Sequence, residues 1–340
     1  MFKRNAKKRM TSKHEVLVRD RFNILITSIS RKVPLIMAVK GASSRLANSG
    51  VIYGADLVEQ CAGRYFVDVF WKMPRIEKLE INRFIEYCLK NNISCIVPTR
   101  DGELPFFSKH KEILREHDIA VMSSDYSSVQ VCLDKLAFFE MANKLGFPVI
   151  KTVENIDDVD SDSYVVKERY GAGSHNMGLN IGKEQALLRA TKLKSPIFQP
   201  FIPGKEMSVD LYVDVTGKTK GVVVRARELV VNGESQITYT MRNQRLEELC
   251  PSMAESLELY GHIVFQALID ETDRLNIIEC NPRFGGASTL SLKVGLDSFY
   301  WFFLEAMGVE IDEYPFLRSR EEKRQIRYPE DLVISYGFSV

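Results

Sequence analysis

The feature that most constrains the fold is the alternation of short apolar runs with helical patterns over residues 22–122. The apolar runs cover residues 23–28, 51–56, 65–70, 94–98 and 119–122, and the helical patterns cover 34–47, 80–90 and 105–117. In the helix predicted at 80–90, Phe84, Ile85 and Cys88 share one face. Strands that alternate with helices predict a parallel, doubly wound sheet, so this region is expected to form an α/β domain.

The remainder of the chain has a different pattern and is expected to form an α+β domain with antiparallel sheets. A helix is predicted at 134–145, ending at Gly146, and residues 254–266 are predicted to be mostly helical. The predicted strands cover 164–167, 197–201, 207–213, 221–227 and 332–335, and a hairpin is predicted from 267–270 and 275–279.

Charge and cysteine usage exclude several classes of protein. The 340 residues contain 46 Lys and Arg against 45 Asp and Glu, so the net charge of +1 predicts no general attraction to nucleic acid or to an anionic membrane. No apolar run reaches the roughly 18 residues of a membrane-spanning helix. The six cysteines lack C-x-x-C spacing, which favours reduced thiols and a cytoplasmic protein.

The first 21 residues are predicted to be a basic, solvated tail. Residues 1–13 contain six Lys or Arg and no acid, and no apolar segment of a secretory signal follows. A transit peptide or a nucleic-acid-binding arm is the alternative for this segment.

A lysine at the end of a strand precedes a glycine-rich loop. Lys167 ends the strand predicted at 164–167, and the loop runs from Gly171 to Gly178. Glycines allow backbone N–H groups to converge on phosphate oxygens, and a nearby lysine neutralises their charge. The loop is not a Walker A motif, because no G-K-[ST] closes it. On its own, this pattern is also typical of an ordinary hairpin loop.

A second segment has the pattern of a nucleoside-binding edge. Exposed main-chain groups around Gln199 and Phe201 can form hydrogen bonds with the edge of an adenine, and the carboxylate of Glu206 can accept hydrogen bonds from ribose hydroxyls. A β-hairpin with a Pro-Gly turn and surface acids explains the same residues.

A third segment places oxygen ligands and an arginine at the end of a buried strand. Glu279 and Asn281 are two residues apart and therefore share one strand face, and Arg283 follows. Gln266, on the preceding strand, adds a further oxygen. Such oxygens are ligands that Mg²⁺ prefers, and the arginine suits a phosphate. Structural acids at strand ends are the alternative explanation.

These three motifs occur in a fixed order after Asp134-Lys135 and after an α/β domain. In this order the chain resembles the ATP-grasp superfamily over residues 22–310, and especially the branch similar to the carbamoyl-phosphate synthase large subunit. The resemblance implies a pre-ATP-grasp domain at 22–122 and a two-lobed ATP-grasp domain at 123–310, whose lid lobe covers about 148–203. Residues 311–340 are a C-terminal extension.

The resemblance also implies a role for each matching residue. It assigns nucleotide binding to four groups of residues. These are the phosphate lysines Lys135 and Lys167, the flap-loop residues Gly171, Gly173 and Ser174, the adenine-edge residues Gln199, Phe201 and Ile202, and the ribose carboxylate Glu206. It assigns Mg²⁺, with Mn²⁺ as a substitute, to Gln266, Glu279 and Asn281. Arg283, Arg225 and Lys167 are the implied catalytic residues, with Arg227 as the alternative to Arg225. These roles require the amino groups at 135 and 167 to face the carboxylate at 279.

Two positions depart from the family pattern. Gln266 is neutral where many members have an acid, which leaves Glu279 as the only charged metal ligand. His175, in the lid loop, is either a proton carrier or a solvated side chain.

The implied activity is an ATP-dependent carboxylate–amine ligase that works through an acyl phosphate and releases ADP and phosphate. Its partners are a small-molecule carboxylate and an amine, and members of the family often form homodimers. The alternatives are phosphorylation of bicarbonate or carbamate, as in carbamoyl-phosphate synthesis, and a non-catalytic nucleotide-binding subunit. An NAD dehydrogenase is disfavoured, because no G-x-G-x-x-G follows Ile26.

Substrate-facing residues follow from the rule that ligands bind at the carboxyl ends of parallel strands. The loops expected to face the cleft are Ser28–Lys32, Asp56 and Thr99–Glu103, and their candidate substrate ligands are Ser30, Arg31, Arg100 and Asp101. Arg100 and Asp101 are equally expected to pair with each other. Arg242 and Thr289 are additional candidates.

Overall fold

The structure is a computed structural model that describes residues 21–171 and 176–334. The predicted basic tail, apart from Arg21, and the loop residues Gly173, Ser174 and His175 therefore lie outside the described residues.

The first domain contains a five-stranded parallel sheet in the order β3-β2-β1-β4-β5. Its strands are β1 (Phe22–Thr27), β2 (Ser49–Asp56), β3 (Val69–Lys72), β4 (Ile93–Val97) and β5 (Ala120–Val121). Its helices are α1 (Val33–Ser43), α2 (Ile81–Lys90), α3 (Leu104–Lys109) and α4 (Lys111–Glu116). The predicted doubly wound α/β architecture is confirmed. The third strand was predicted too early, because residues 62–66 form a 3₁₀ turn before the chain extends at Val69.

The strand order reverses between β1 and β4, where the loops after the two strands are joined. The Thr99 hydroxyl donates to the Thr27 carbonyl at 2.7 Å. The hydroxyls of Thr27 and Ser28 both donate to the buried carboxylate of Glu103. Burial raises the pKa of Glu103, and these hydroxyls oppose that effect. This network holds the crevice end of the sheet in one arrangement.

The second domain contains a large and a small antiparallel sheet. The large sheet has the order β13-β12-β9-β10-β11-β14 and the small sheet β7-β6-β8. The strands are β6 (Tyr164–Glu168), β7 (Gly178–Ile181), β8 (Pro196–Pro200), β9 (Gly204–Val213), β10 (Thr219–Val231), β11 (Glu234–Met241), β12 (Gly261–Asp270), β13 (Leu275–Asn281) and β14 (Arg324–Ile326). The helices are α5 (Tyr126–Leu133), α6 (Lys135–Lys144), α7 (Lys183–Ala190), α8 (Gln244–Ser256), α9 (Thr289–Leu292) and α10 (Ser298–Ala306). The predicted α+β class is confirmed.

The helix predicted at 254–266 is wrong for most of its length. Helix α8 ends at Ser256, and the chain turns through Glu258 and Gly261, which have φ values of 51° and 81°. Two β-branched residues, Ile263 and Val264, then favour the extended strand β12. The predicted terminal strand at 332–335 is also wrong, because residues 332–334 have no regular secondary structure.

The two domains share part of one hydrophobic core. Helix α10 packs its aromatic side chains, including Trp301 and Phe302, against the apolar face of α1, which carries Ile36 and Val39. The chain then returns along the large sheet, where β14 pairs with the edge strand β11. Arg327, which follows β14, is thereby brought against Gly286.

Candidate active site

Lys167 lies between the two sheets of the second domain, with 9% of its surface exposed. The pKa of its ammonium is lowered to about 8, chiefly by burial; Glu279 and Glu206 of the large sheet act to raise it, and the neighbouring Lys135 acts to lower it. These electrostatic interactions indicate that the other three charged groups lie near the Lys167 ammonium. The structure therefore brings the two lysines and the carboxylate of Glu279 together.

Lys135 is positioned by the residue before it. The Asp134 carboxylate caps α6 by accepting from two backbone N–H groups of the first turn. Arg169 also donates to it through two nitrogens at 2.7 and 2.6 Å, and the Tyr170 hydroxyl donates at 2.9 Å. Asp134 thus fastens the beginning of the glycine-rich loop to the helix. The Lys135 ammonium donates to the Gly171 carbonyl at 2.7 Å, directly at the mouth of that loop.

The predicted metal ligands form one row across two strands. Gln266 on β12 lies directly opposite Glu279 on β13. The amide of Asn281 donates to the Glu279 carboxylate at 3.2 Å, so the two side chains share a face as expected. One carboxylate and two amide carbonyls are hard oxygen donors, and Mg²⁺ commonly takes few protein ligands beside phosphate oxygens. This donor set fits Mg²⁺ bound together with a nucleotide.

Glu206 and Gln266 are joined by an arginine. Arg227 forms an ion pair with Glu206 and donates to the Gln266 side-chain oxygen at 3.2 Å. Burial raises the pKa of Glu206, and Arg227 opposes that effect. Arg227, the alternative to Arg225 in the sequence, therefore contacts two of the predicted site residues.

Arg225 lies deeper in the domain, with 2% of its surface exposed. It forms an ion pair with Asp210, which also accepts hydrogen bonds from Ser288, from Ser291 at 2.7 Å and from His262 at 3.2 Å. Burial acts to raise the pKa of Asp210, but Arg225 and His262 hold it well below its usual range. Within the described residues, Nη1 of Arg225 is buried without a hydrogen-bond partner. This network supports the loop that carries Arg283.

Arg283 reaches across to the first domain. Its guanidinium forms two parallel hydrogen bonds with the Asp101 carboxylate, at 2.5 and 2.6 Å. Asp101 was considered as a partner of Arg100, and the structure pairs it with Arg283 instead. A bidentate arginine–carboxylate pair fixes both position and orientation, so it holds the two domains in register at the cleft.

The predicted adenine reader requires a correction at Phe201. Its N–H group donates to the Ser163 carbonyl at 2.9 Å, and Gln199 lies in register with β6. In an antiparallel ladder, residues two apart direct their main-chain groups to the same side. Gln199 and Phe201 therefore use these groups within the small sheet, and the Phe201 N–H is not free to read a base.

The alternate residues of the same segment face the other way. Phe198 exchanges main-chain hydrogen bonds with Val153 at 2.8 and 3.0 Å on the side away from β6. By the same alternation, the Pro200 carbonyl and the Ile202 N–H are directed to that side. The Ile202 N–H has no hydrogen-bond partner in the described part of the chain. The pair Pro200 and Ile202 replaces Gln199 and Phe201 as the candidate adenine edge.

The other substrate-side candidates have different surroundings. The Ser30 N–H donates to the Asp56 carboxylate at 2.8 Å, and Thr289 donates to Gln325 at 3.2 Å. Arg242 pairs with Glu247 at the start of α8. Arg31 and Arg100 are exposed.

Two cations of this cleft were not named as individual site residues: Lys32, which ends the predicted cleft-facing loop 28–32, and Arg327, which follows β14. For Lys32, its position after β1 at the crevice was a usable signal. For Arg327, the sequence contains no local signal, because only the pairing of β14 with β11 brings it to the cleft.

Comparisons with known proteins agree with this architecture. Residues 24–122 match a family described as "PylC-like, N-terminal domain", and residues 192–328 match one described as "ATP-grasp in the biosynthetic pathway with Ter operon". The match of residues 192–328 to an ATP-grasp family agrees with the resemblance that the motifs indicated.

Solved structures with the same fold have low sequence identity. A biotin carboxylase from Campylobacter jejuni, in complex with β-γ-ATP, is 15% identical with a TM-score of 0.70, covering 89% of this chain and 74% of that one. An N5-carboxyaminoimidazole synthetase from Staphylococcus aureus, complexed with ADP, is 18% identical with a TM-score of 0.65, covering 85% and 78%. The biotin carboxylase domain dimer of a Hydrogenobacter thermophilus 2-oxoglutarate carboxylase, with MgADP and bicarbonate, is 14% identical with a TM-score of 0.70, covering 89% and 73%.

The helices of the described residues are all too short or too polar to cross a membrane.

Proposed function

We propose that this protein is an ATP-dependent carboxylate–amine ligase that forms an amide through an acyl phosphate. The observation that carries the proposal is the convergence of Lys135, Lys167, Glu206 and Glu279 on one cleft between the two sheets. Two cations suit the phosphates, and the carboxylates suit a ribose and a divalent cation. A cleft with this composition is suited to Mg-ATP.

Each residue has a defined part in nucleotide binding. The Lys135 and Lys167 ammoniums bind phosphate oxygens, and the Pro200 carbonyl and Ile202 N–H face the adenine. When the nucleotide binds, the Glu206 carboxylate leaves its ion pair with Arg227 and accepts hydrogen bonds from the ribose hydroxyls. Glu279, Asn281 and Gln266 hold Mg²⁺, with Mn²⁺ as a substitute, and the cation neutralises charge on the phosphates.

The reaction proceeds in two steps that conserve atoms and charge. An oxygen of the substrate carboxylate attacks the γ-phosphorus, the bond to the β-phosphate oxygen breaks, and ADP leaves. The amine nitrogen then attacks the acyl carbon, the carbon–oxygen bond breaks, phosphate leaves, and the nitrogen releases a proton. Arg283 is placed to bind the transferred phosphate, and its position is held by Asp101. Positive charge in a closed cleft stabilises both steps.

The test is ADP release measured with pools of carboxylates and amines. Release that needs both a carboxylate and an amine supports the ligase. Release with bicarbonate alone would indicate carbamoyl-phosphate-like chemistry, and ATP binding without turnover would indicate a non-catalytic subunit. We also propose that the enzyme is a cytoplasmic homodimer, which sedimentation and cell fractionation test.

A further inference from the structure

Three cations from distant parts of the chain meet on the substrate side of the cleft. Lys32 immediately precedes α1, Arg283 follows β13, and Arg327 follows β14. A Cβ atom on Gly286 would lie 2.7 Å from Nη2 of Arg327. The guanidinium of Arg327 therefore lies directly on the turn that follows Arg283, and a glycine is needed there for that approach.

Two of the three cations have a carboxylate partner. Arg283 is paired with Asp101, and Arg327 is paired with Glu234 at 2.8 Å. Lys32 is half-buried, and its side-chain ammonium forms no ion pair or hydrogen bond with any residue in the ranges 21–171 and 176–334. Burial lowers the pKa of Lys32, Arg283 and Arg327 lower it further, and Glu234 and Asp101 oppose them. Glu279 also attracts Arg283, but the Lys32 ammonium has no ion-pair partner within those ranges.

The geometry leaves donors available for a ligand. Nη1 of Arg327 binds Glu234, whereas Nη2 is held over Gly286 with no hydrogen-bond partner among the described residues. The Lys32 ammonium adds three donors, since it has no partner there. A partly buried cation without a counter-ion is unfavourable unless an anion joins it.

Resting on the ligase function proposed above, we propose that Lys32 and Arg327 bind a second anionic group of the acceptor substrate. That group is a carboxylate or a phosphate, and the reacting carboxylate of the same molecule lies beside Arg283. The acceptor is therefore a dianionic or more highly charged acid, and simple monocarboxylic acids are poor substrates.

The test compares acids that differ by one anionic group, using calorimetry on the full chain at constant ionic strength. Succinate is compared with succinamate, and 3-phosphoglycerate with glycerate. We expect the more highly charged member of at least one pair to bind about tenfold tighter, the effect of one charge-assisted contact. If succinate binds tighter than succinamate, the second anionic group is a carboxylate. If 3-phosphoglycerate binds tighter than glycerate, it is a phosphate. Equal binding within both pairs would overturn the proposal.

Variants separate anion binding from a structural role. Lys32→Gln and Arg327→Gln should each reduce the preference about tenfold, and Arg324→Gln should not change it, because that neighbouring arginine pairs with exposed Glu228. Glu234→Gln removes the counter-ion of Arg327 and should retain or tighten anion binding. If Glu234→Gln weakens binding as Arg327→Gln does, the ion pair is structural and the proposal fails.

The outcomes also distinguish this site from the ligase function. If the charge preference and its loss in the variants are observed, but no acid supports ADP release, the site stands and the ligase function fails. Full turnover with monoanionic acids would leave the ligase function standing and exclude the second anionic group.

Discussion

The nucleotide side and the substrate side of the cleft are built in different ways. On the nucleotide side, Glu279 and Asn281 are two residues apart on one strand, and Lys167 is followed within a few residues by its glycine-rich loop. On the substrate side, Lys32, Asp101, Arg283 and Arg327 come from four separate segments. Residues that are close together in the sequence can be recognised as a site from the sequence alone. The residues of the substrate side come together only in the folded chain.

The largest expected effect tests the nucleotide side. Glu279→Gln should lower kcat about 10²- to 10³-fold, because it removes the only anionic oxygen of the predicted metal row. The melting temperature should change little, since the side chain keeps its shape. ADP release at several Mg²⁺ concentrations measures the effect.

Glu271→Gln is the matched control for this substitution, because Glu271 lies in the exposed turn of the same hairpin. It should retain full activity. Normal Mg-dependent ADP formation by Glu279→Gln would show that the metal assignment is wrong.

The next effect tests the substrate side. Asp101→Asn removes the charge that orients Arg283, and kcat/KM for the acceptor should fall about 30-fold, as for other buried charge pairs that lose one partner. The KM for ATP should change less than the KM for the acceptor, because Lys135, Lys167 and the adenine edge still bind the nucleotide. Steady-state kinetics with each substrate varied in turn measure both values.

Glu59→Gln provides the control, because it removes an exposed ion pair with Arg64 in the same domain. If Asp101→Asn instead raises the KM for ATP and for the acceptor equally, the two sides of the cleft are not separate units.

The same contrast explains what the sequence could predict. The two domains followed from strand and helix periodicity. The candidates at 167, 206, 266 and 279 followed from local motifs, and the candidate at 135 followed from the family resemblance. The helix predicted at 254–266 failed because an apolar run does not reveal the reversal at Gly261. Arg327 was missed because its position depends on β14 pairing with β11, a contact between residues about 90 apart in sequence.

The adenine edge was predicted from the sequence only in part. The sequence located the segment 199–202 but not which residues direct their main-chain groups outward. That choice depends on the pairing register with β6, and a shift of one residue exchanges the two sets.

A smaller effect follows from the pKa of Lys167, which burial lowers to about 8. ATP affinity should fall about tenfold between pH 7 and pH 9, because the ammonium loses its proton in that range. Without nucleotide, the buried charge destabilises the fold below about pH 8, so stability should rise between pH 8 and the ordinary lysine pKa of about 10.5. Calorimetric titration and thermal unfolding measure the two trends.

Lys167→Met should weaken ATP binding and remove both pH trends. Lys151→Met, at an exposed position in the same lobe, should leave them unchanged. A pH dependence that persists in Lys167→Met would assign it to another group.

The smallest effect tests whether the adenine edge binds the base through main-chain hydrogen bonds. If the Ile202 N–H donates to adenine N1 and the Pro200 carbonyl accepts from N6, then 1-deaza-ATP and purine riboside triphosphate should each bind about fivefold more weakly than ATP, the effect of one hydrogen bond. The nitrogen at position 7 has no assigned partner, so 7-deaza-ATP should bind as ATP does. Equal affinity for 1-deaza-ATP and ATP would exclude Ile202 as the reader of N1. The side chains of this edge would then supply only apolar contact, and selection of the base would have to come from elsewhere in the cleft.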